Sequence, residues 1–436
     1  MYPAAYKTNM LDIFQPSSRS RVLDHETSPR LKFNKEDWEE RKTKDPGTLA
    51  YNPHLKALCS SITFLTEKCR AGDTVLYVGG SVSSYLFTLA KMFPTLKFKL
   101  FDHNTSNFLK RAKDEGIVPS NIQHYQEIFS DQVAARLLIK ENLEAGDTLL
   151  ISDLRNVTKN AWGRGYVAVT DENVVNDLHL QVCLFFCVFD CFFHGKEPNS
   201  AVAKKQENWV QLIRPRSADL KFKLPYHGPS RYSFLHGQLQ FQLFGKQSTS
   251  EARLIVDAPA SPEDKYARVV YSRHVHDNCM YYHNFMTRLE HLDSASKIKL
   301  SYDQHMSHAI LCEWMHRAFN DQNMSGIPDL EARKEWIGSI IKELHETYKQ
   351  SLGLGLCSAL QTFCPDIEFP TDEEAALLAI EQPLPAAASA AETLLLEGDD
   401  VTQHEKQVQR LWRKNMNHDV ARRKLKMQRQ LQEQIP

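Results

Sequence analysis

The chain of 436 residues lacks a long, uninterrupted apolar stretch. Its most apolar run, Val182 to Phe193, is about a dozen residues long and is broken by Asp190, whereas a membrane-spanning helix needs about twenty. The N-terminal segment Met1 to Asp12 also lacks the apolar core of a secretory signal. These absences predict an intracellular protein without a membrane span.

Paired C-x-x-C motifs are also missing, and the nine cysteines are an odd number. Both observations argue against a disulfide scaffold and favour free thiols in a reducing compartment. Cys183, Cys187 and Cys191 share one face of a predicted helix, but they have no fourth ligand within metal-binding spacing. We interpret them as core residues and expect no metal.

What remains is an ordinary globular composition, 42% hydrophobic and 25% charged, with a net charge of -1. Residues 1–48 are polar and aperiodic, which predicts an arm with little structure of its own. Residues 49–327 are predicted to form the main domain, and residues 328–436 a helical, partly disordered extension. This extension contains an acidic block (366–400) and a basic block (401–436). Such blocks are usually solvated, although they are also candidate surfaces for protein partners or RNA.

Strand-like and helix-like segments alternate through the main domain. Short apolar runs predict strands at 75–78, 98–101, 121–125, 148–152, 220–222, 239–244, 252–256 and 267–271. Helical periodicity predicts helices at 55–65, 82–92, 106–113, 131–138, 172–193, 277–289, 304–319 and 330–352. The alternation is typical of an α/β, Rossmann-like fold, in which a doubly wound, mostly parallel sheet has flanking helices.

The first strand of the main domain ends in a glycine turn, Gly79-Gly80-Ser81, that leads into a helix. Glycines at such a junction let the backbone approach a nucleotide-like ligand. Two later strands end in acids, Asp102 and Asp153, and Asp102 follows the turn at the spacing expected for a carboxylate that binds ribose hydroxyls. The alternative for each acid is a strand-end carboxylate that caps a turn.

Two other features have competing interpretations. The insertion that contains Lys204, Lys205, Trp209 and two arginines is either a surface that follows an RNA backbone or a solvated loop. His274 and His276 flank a predicted strand end. We expect them at the surface or in contact with RNA phosphates rather than bound to a metal.

Four charged residues lie at the edges of otherwise apolar elements: Lys56, Asp153, Lys221 and Glu251. Taken singly, each is more simply explained as an exposed lysine or a strand-end acid. Taken together and in this order, they resemble the Lys-Asp-Lys-Glu tetrad of cap-specific ribose 2'-O-methyltransferases of the RrmJ/FtsJ-like group.

The local contexts of these residues strengthen the resemblance, which covers about Leu49 to Phe319. They are L-x-Y-x-x-x-L-K-x-L around Lys56, Y-V-G-G-S at the glycine turn, L-I-S-D-L-R around Asp153, L-K-F-x-x-P-Y around Lys221, S-E-A-R-L around Glu251 and M-Y-Y-x-N at Met280 to Asn284. The pattern is most similar to the poxvirus type, which doubles as the small subunit of a poly(A) polymerase, and to the kinetoplastid cap enzymes. It departs from the poxvirus type at Ser83-Ser84, where that type has a further glycine.

The resemblance implies methyl transfer from S-adenosyl-L-methionine to the ribose 2'-OH of the first nucleotides of capped mRNA. In this interpretation Lys221 accepts the hydroxyl proton, and Asp153 and Glu251 orient Lys221 and Lys56. A lysine serves as such a base only when desolvation or a neighbouring cation lowers its pKa. The methyl donor is expected over Gly79, Gly80 and Ser81, with Asp102 on its ribose and Asp153 near its methionine end.

Cap recognition is implied at a second set of positions. Tyr226 matches the family's stacking aromatic residue and Asp277 matches an acid on the edge of the methylated base. The second acid is replaced by Gly228, and Phe33 or Trp38 of the N-terminal arm are candidates for the partner aromatic.

Two alternatives to this function stay open. One is a non-catalytic RNA-binding or cap-binding subunit with the same fold, and the other is a 2'-O-methyltransferase of another RNA. A cellular enzyme of the kinetoplastid kind would be nuclear, and a poxvirus-like enzyme cytoplasmic.

Overall fold

The computed structural model describes residues 21–32, 51–79, 83–102, 106–153, 209–224, 230–247, 249–261, 263–288, 301–353 and 356–363. They all belong to one compact unit, Met1–Asp372. The predicted helix at 172–193, its three cysteines and the acidic and basic blocks lie outside the described residues.

Ten strands occur in the described residues. In chain order they are β1 (Val22–Leu23), β2 (Thr74–Val78), β3 (Lys97–Phe101), β4 (Ile122–Tyr125), β5 (Thr148–Ser152), β6 (Ser217–Phe222), β7 (Arg231–Leu235), β8 (Gln238–Phe241), β9 (Ala252–Asp257) and β10 (Arg268–Ser272). Eight of them form one sheet in the order β1-β8-β9-β6-β5-β2-β3-β4, and β7 pairs with β10 in a separate two-stranded sheet.

The large sheet is Rossmann-like but mixed. Strands β2 to β6 are mutually parallel, and their central members are apolar along their length because both faces are covered. The remaining three strands are antiparallel to their neighbours, beginning with β9 beside β6. The predicted mostly parallel α/β sheet is therefore confirmed in this coarse form.

The prediction of an unstructured arm is wrong for residues 21–32. Val22 pairs with Gln240 and Leu23 with Leu239, so β1 forms one edge of the sheet. Arg21 is buried and donates to Thr63 Oγ1 at 2.7 Å. A two-residue strand has too little sequence to show a period, and its pairing partner is distant along the chain.

Helices cover both faces of the sheet. In chain order they are α1 (Pro53–Lys68), α2 (Ser84–Met92), α3 (Asn107–Asp114), α4 (Asp131–Lys140), α5 (Trp209–Ile213), α6 (Arg273–Tyr282), α7 (Tyr302–Asn320), α8 (Gln322–Ser325), α9 (Leu330–Leu352) and α10 (Leu356–Phe363). A π-helical turn, His283–Thr287, continues α6. Within the described ranges, no helix is both long and apolar enough to cross a bilayer.

The alternation of side chains along each strand separates two hydrophobic clusters. Val75 and Tyr77 of β2 face a cluster shared with α1, α2, α3, α7, α9 and α10. Leu76 and Val78 face the other cluster, shared with α4, α5 and α6. Helix α9 has the predicted bounds, yet Ile337 and its neighbours belong to the first cluster. The predicted boundary at residues 327 and 328 therefore does not separate α9 and α10 from the main core.

The predictions for two residues and for one helix start are corrected. Trp209 is not an RNA-stacking residue of an exposed loop, because it begins α5, is buried, and packs edge-on against Phe129 at 4.8 Å. His276 is fully buried rather than superficial, since α6 begins at Arg273 and not at Asp277.

Candidate functional site

The order of the parallel strands reverses at the carboxyl end of β2. The chain runs outward from β2 through β3 to β4 and then returns to β5 on the other side of β2. A reversal of this kind is where open α/β sheets bind ligands. Gly79, Asp102 and Asp153 follow β2, β3 and β5 directly, so all three lie at this edge.

Backbone contacts hold the three positions in register. The Gly79 N–H donates to Phe101 O at 3.1 Å, and the Asp153 N–H donates to Val78 O at 2.8 Å. Gly79 has φ +79°, a left-handed conformation that a residue with a Cβ rarely adopts. Position 79 therefore favours glycine because of its backbone conformation.

Helix α1 brings Lys56 to the same edge. Asn52 caps the helix by accepting from the Leu55 N–H at 3.1 Å, and Pro53 occupies the first helical position. Lys56 then lies in the first turn, where the helix dipole disfavours a cation. The contact of the Lys56 amine with Glu251 Oε1 at 2.5 Å offsets this unfavourable interaction with the helix dipole.

The second lysine of the tetrad joins the two acids. Lys221 Nζ lies 3.0 Å from Asp153 Oδ1 and 3.8 Å from Glu251 Oε1. The side chains of Lys56, Asp153, Lys221 and Glu251 are only 16%, 17%, 11% and 10% exposed. The structure thus brings the four sequence-predicted residues into one contiguous, largely buried group.

Two further charged residues belong to this group, although the sequence analysis assigned them no role. Arg253 donates through Nε to Asp219 Oδ1 at 2.7 Å and contacts Asp153 Oδ1 through Nη1 at 3.3 Å. In the antiparallel register Arg253 is the direct partner of Lys221. The signal was available in the spacing, because Asp219 and Lys221, like Glu251 and Arg253, are two residues apart and share one face of a strand.

Electrostatics keep Asp153 ionised within this group. Burial by itself raises the pKa of a carboxyl, but Lys221, Arg253 and Lys56 outweigh it and lower the pKa of Asp153. For Asp219 burial dominates over Arg253, so its pKa is raised. Burial disfavours the charge of Arg253, yet Asp219 and Asp153 more than compensate and raise its pKa. Three cations and three carboxylates therefore alternate in a formally neutral network.

The residues predicted to bind a methyl donor lie at the same edge of the sheet as the network. Gly79, with its left-handed backbone, follows β2, and Asp102 follows β3 at the same edge. Ser83, at the start of α2, has a buried Oγ without a hydrogen-bond partner among the described residues. A helix start with such a hydroxyl suits the carboxylate of an amino-acid ligand. Gly80 and Ser81 lie outside the described residues.

The predicted cap contacts are only partly described. Asp277 is half-buried on α6. Its neighbour His276 packs edge-on against Phe222, and the Nε2 atom of His276 lies 2.8 Å from the carbonyl oxygen of Ser250. Tyr226, Gly228, Phe33 and Trp38 lie outside the described residues. Within the part of the chain that is described, no three His, Cys, Asp or Glu side chains could hold a metal ion.

No protein-family model matches the chain, and a search of curated proteins gives no match either.

Proposed function

We propose that this chain is an S-adenosyl-L-methionine-dependent methyltransferase that modifies the ribose 2'-OH of the first transcribed nucleotides of capped RNA. The observation that carries the proposal is the convergence of Lys56, Asp153, Lys221 and Glu251 at the carboxyl edge of the sheet. This convergence joins residues that are far apart in the chain and lies at the edge of the sheet where the strand order reverses beside Gly79.

The chemistry requires a base and a fixed geometry. Once its amine has lost its own proton, Lys221 accepts the proton of the ribose 2'-hydroxyl, while Asp153 and Glu251 hold the amine from two sides. Lys56 supplies positive charge beside the oxygen as negative charge develops there. S-adenosyl-L-methionine, when bound, supplies an electrophilic methyl group. The remaining contribution of the protein is alignment, because a hydroxyl held in line reacts far faster than a free one.

The residues toward each substrate have separate roles. Gly79, Gly80, Ser81, Asp102 and Asp153 bind the methyl donor, and Asp102 accepts from its ribose hydroxyls. Tyr226 and Asp277 hold the methylated guanine of the cap by stacking and by an edge contact. The reaction as proposed uses no metal.

Replacement of Lys221 by methionine tests the proposal. Lys221→Met removes the amine and keeps most of the side-chain volume, so we expect transfer of labelled methyl groups to capped RNA to fall at least about 100-fold. Binding of the methyl donor, measured by calorimetry, should persist. Lys97→Met, which removes an exposed lysine at the amino end of β3, is the matched control and should retain activity. Activity of Lys221→Met above half that of the natural chain would contradict the assignment of the base.

A second candidate is a non-catalytic RNA-binding subunit with this fold. The observation that favours it is the pair Ser83 and Ser84, which stand where the resemblance expects a further glycine. Calorimetry with millimolar S-adenosyl-L-methionine separates the two, because a pure RNA-binding subunit gives no heat. If the substrate is a different RNA, the Asp277→Ala variant should methylate that RNA as fast as the natural chain does, because Asp277 is proposed to contact only the cap.

A further inference from the structure

The loop between β8 and β9 carries Glu251 to the tetrad and lies against Lys56. Its Gly245 is so close that an added Cβ would lie 3.9 Å from Lys56 Cδ and 3.3 Å from Thr249 Cγ2. Phe244 has φ +53°, a left-handed conformation that a bulky residue keeps only where its surroundings enforce it. The loop therefore has a specific conformation that something must hold.

The π-helical turn after α6 supplies the groups that hold it. Arg288 donates through Nη2 to Gly245 O at 3.1 Å and through Nη1 to Asn284 Oδ1 at 3.0 Å. Asn284 in turn donates through Nδ2 to Thr249 O at 2.8 Å. Two side chains thus hold two carbonyls of one loop. Turns of the π type are often found at functional sites.

An ion pair with Asp303 holds the Arg288 side chain in place. Arg288 contacts both carboxylate oxygens of Asp303, Oδ1 at 3.0 Å and Oδ2 at 2.5 Å. The side chains of Arg288 and Asp303 are 0% and 2% exposed. A bidentate pair with no access to solvent fixes the orientation of the guanidinium fork.

Thr249 is connected to the tetrad through Glu251. The Glu251 N–H donates to Thr249 Oγ1 at 3.1 Å, and the Glu251 carboxylate contacts Lys56 at 2.5 Å. We infer that Asn284 and Arg288 are positioning residues that set the Lys56–Glu251 contact by holding the β8–β9 loop. The catalytic consequence of this inference rests on the proposed methyl transfer, whereas the positioning itself does not.

The test uses Asn284 because Arg288→Ala would leave Asp303 buried without its cation and risk unfolding. Asn284→Ala removes both hydrogen bonds, and Asn284→Asp keeps an acceptor for Arg288 but removes the donor to Thr249. Asn121→Ala is the matched control, since Asn121 Nδ2 likewise donates to backbone carbonyls, those of Ala90, Phe93 and Leu96, at the opposite end of the strands.

The first readout is the reactivity of the Lys56 amine in the full chain without RNA. It is measured by acetic anhydride labelling at fixed pH and mass spectrometry, with the exposed Lys113 as internal reference. An amine released from its carboxylate partner reacts faster, so both Asn284 variants should raise the Lys56 labelling rate about fivefold. Asn121→Ala should leave it unchanged. Unchanged labelling in the folded Asn284 variants would overturn the inference.

The second readout is methyl transfer to capped RNA. Misplacement of Lys56 should lower kcat about tenfold in Asn284→Ala, while KM for the methyl donor changes less than about twofold. An equal loss of kcat in Asn121→Ala would overturn the inference, because it would indicate a stability effect. If the natural chain transfers no methyl group but Asn284→Ala still raises Lys56 labelling, the proposed function fails and the positioning role stands.

Discussion

Lys221 and Arg253 are direct cross-strand neighbours on β6 and β9, and like charges in that relation destabilise a sheet. Three carboxylates offset this repulsion, since Asp153 contacts both cations, Asp219 contacts Arg253 and Glu251 approaches Lys221. Buried charges persist only when they are paired and hydrogen-bonded. A network of this kind is therefore no stronger a source of stability than well-packed apolar residues of similar volume.

Two histidines in contact provide a second residue-scale property, a dependence of stability on pH. His25 Nε2 and His276 Nδ1 are 3.2 Å apart, between the N-terminal segment and α6. Burial, followed by the charge of His25, lowers the pKa of His276 to about 3. In the unfolded chain a histidine has a pKa of about 6.5.

The sign follows from this difference in proton affinity. As the pH falls below about 6.5, the unfolded chain binds a proton at His276 before the folded chain does, so the free energy of unfolding decreases by about 1.4 kcal/mol per pH unit. The stability that neutral His276 contributes is complete above pH 6.5. We expect His276→Gln to lose about 2 kcal/mol less than the natural chain between pH 6.5 and 5.

Denaturant unfolding at the two pH values measures this difference. His236→Gln, at an exposed position, is the control and should keep the pH dependence of the natural chain. Equal slopes for His276→Gln and the natural chain would refute the assignment.

At the scale of elements, the start of α1 is tied to two other parts of the fold. Asn52 caps α1, donates its N–H to Phe244 O at 3.1 Å and donates through Nδ2 to Ser351 Oγ at 3.2 Å near the end of α9. Lys56 lies one helical turn after Asn52, and its N–H donates to Asn52 O at 2.9 Å. The position of the Lys56 amine is thus determined by the β8–β9 loop and by α9 as well as by its own helix.

Asn52→Ala should affect both stability and catalysis. Loss of the cap should lower the free energy of unfolding by about 1 kcal/mol, and displacement of Lys56 should lower the proposed methyl transfer about tenfold. Asp329→Ala is the control, because Asp329 caps α9 in the same way, accepting from the Ala332 N–H at 2.8 Å. Denaturant unfolding and the methyl-transfer assay should give a matched stability loss but lower activity only in Asn52→Ala. Equal activities of the two variants would contradict this coupling.

At the scale of the whole molecule, the core extends beyond the main domain predicted from the sequence. Ile337 and Ile341 of α9 and Leu356 and Leu360 of α10 are completely buried, in the cluster that also contains Leu58 of α1. Each such side chain contributes about 1.5 to 3 kcal/mol by its removal from water. This contribution is large compared with the stability of a typical domain.

Two truncations test this extent of the core. A chain that ends at residue 327 should lose cooperative thermal unfolding, because it exposes the apolar faces of α1, α2 and α7. A chain that ends at Asp372, the end of the first compact unit, should unfold cooperatively near the melting temperature of the full chain. Cooperative unfolding of the shorter chain with an unchanged Tm would show that α9 and α10 are dispensable.

Local patterns account for the elements that the sequence predicted well. Strand β5 and helix α9 have the predicted bounds, because a short apolar run and a sustained helical period each depend only on neighbouring residues. Strands β1 and β7 were missed, since their pairing with β8 and β10 is decided by distant segments. The predicted strand at 239–244 ends at Phe241, because the chain turns at Phe244 with a positive φ.

The sequence by itself determined the alternation of strands and helices, the glycine turn at Gly79 and the acids that follow β3 and β5. It also determined that Lys221 shares a face with Asp219, and that Arg253 shares a face with Glu251, because side chains along a strand alternate with a period of two. Only the tertiary structure decided that Lys56 meets Glu251 and that Lys221 lies opposite Arg253. Such contacts depend on sheet register and helix packing, whose free energies are sums over many distant residues and leave no local pattern.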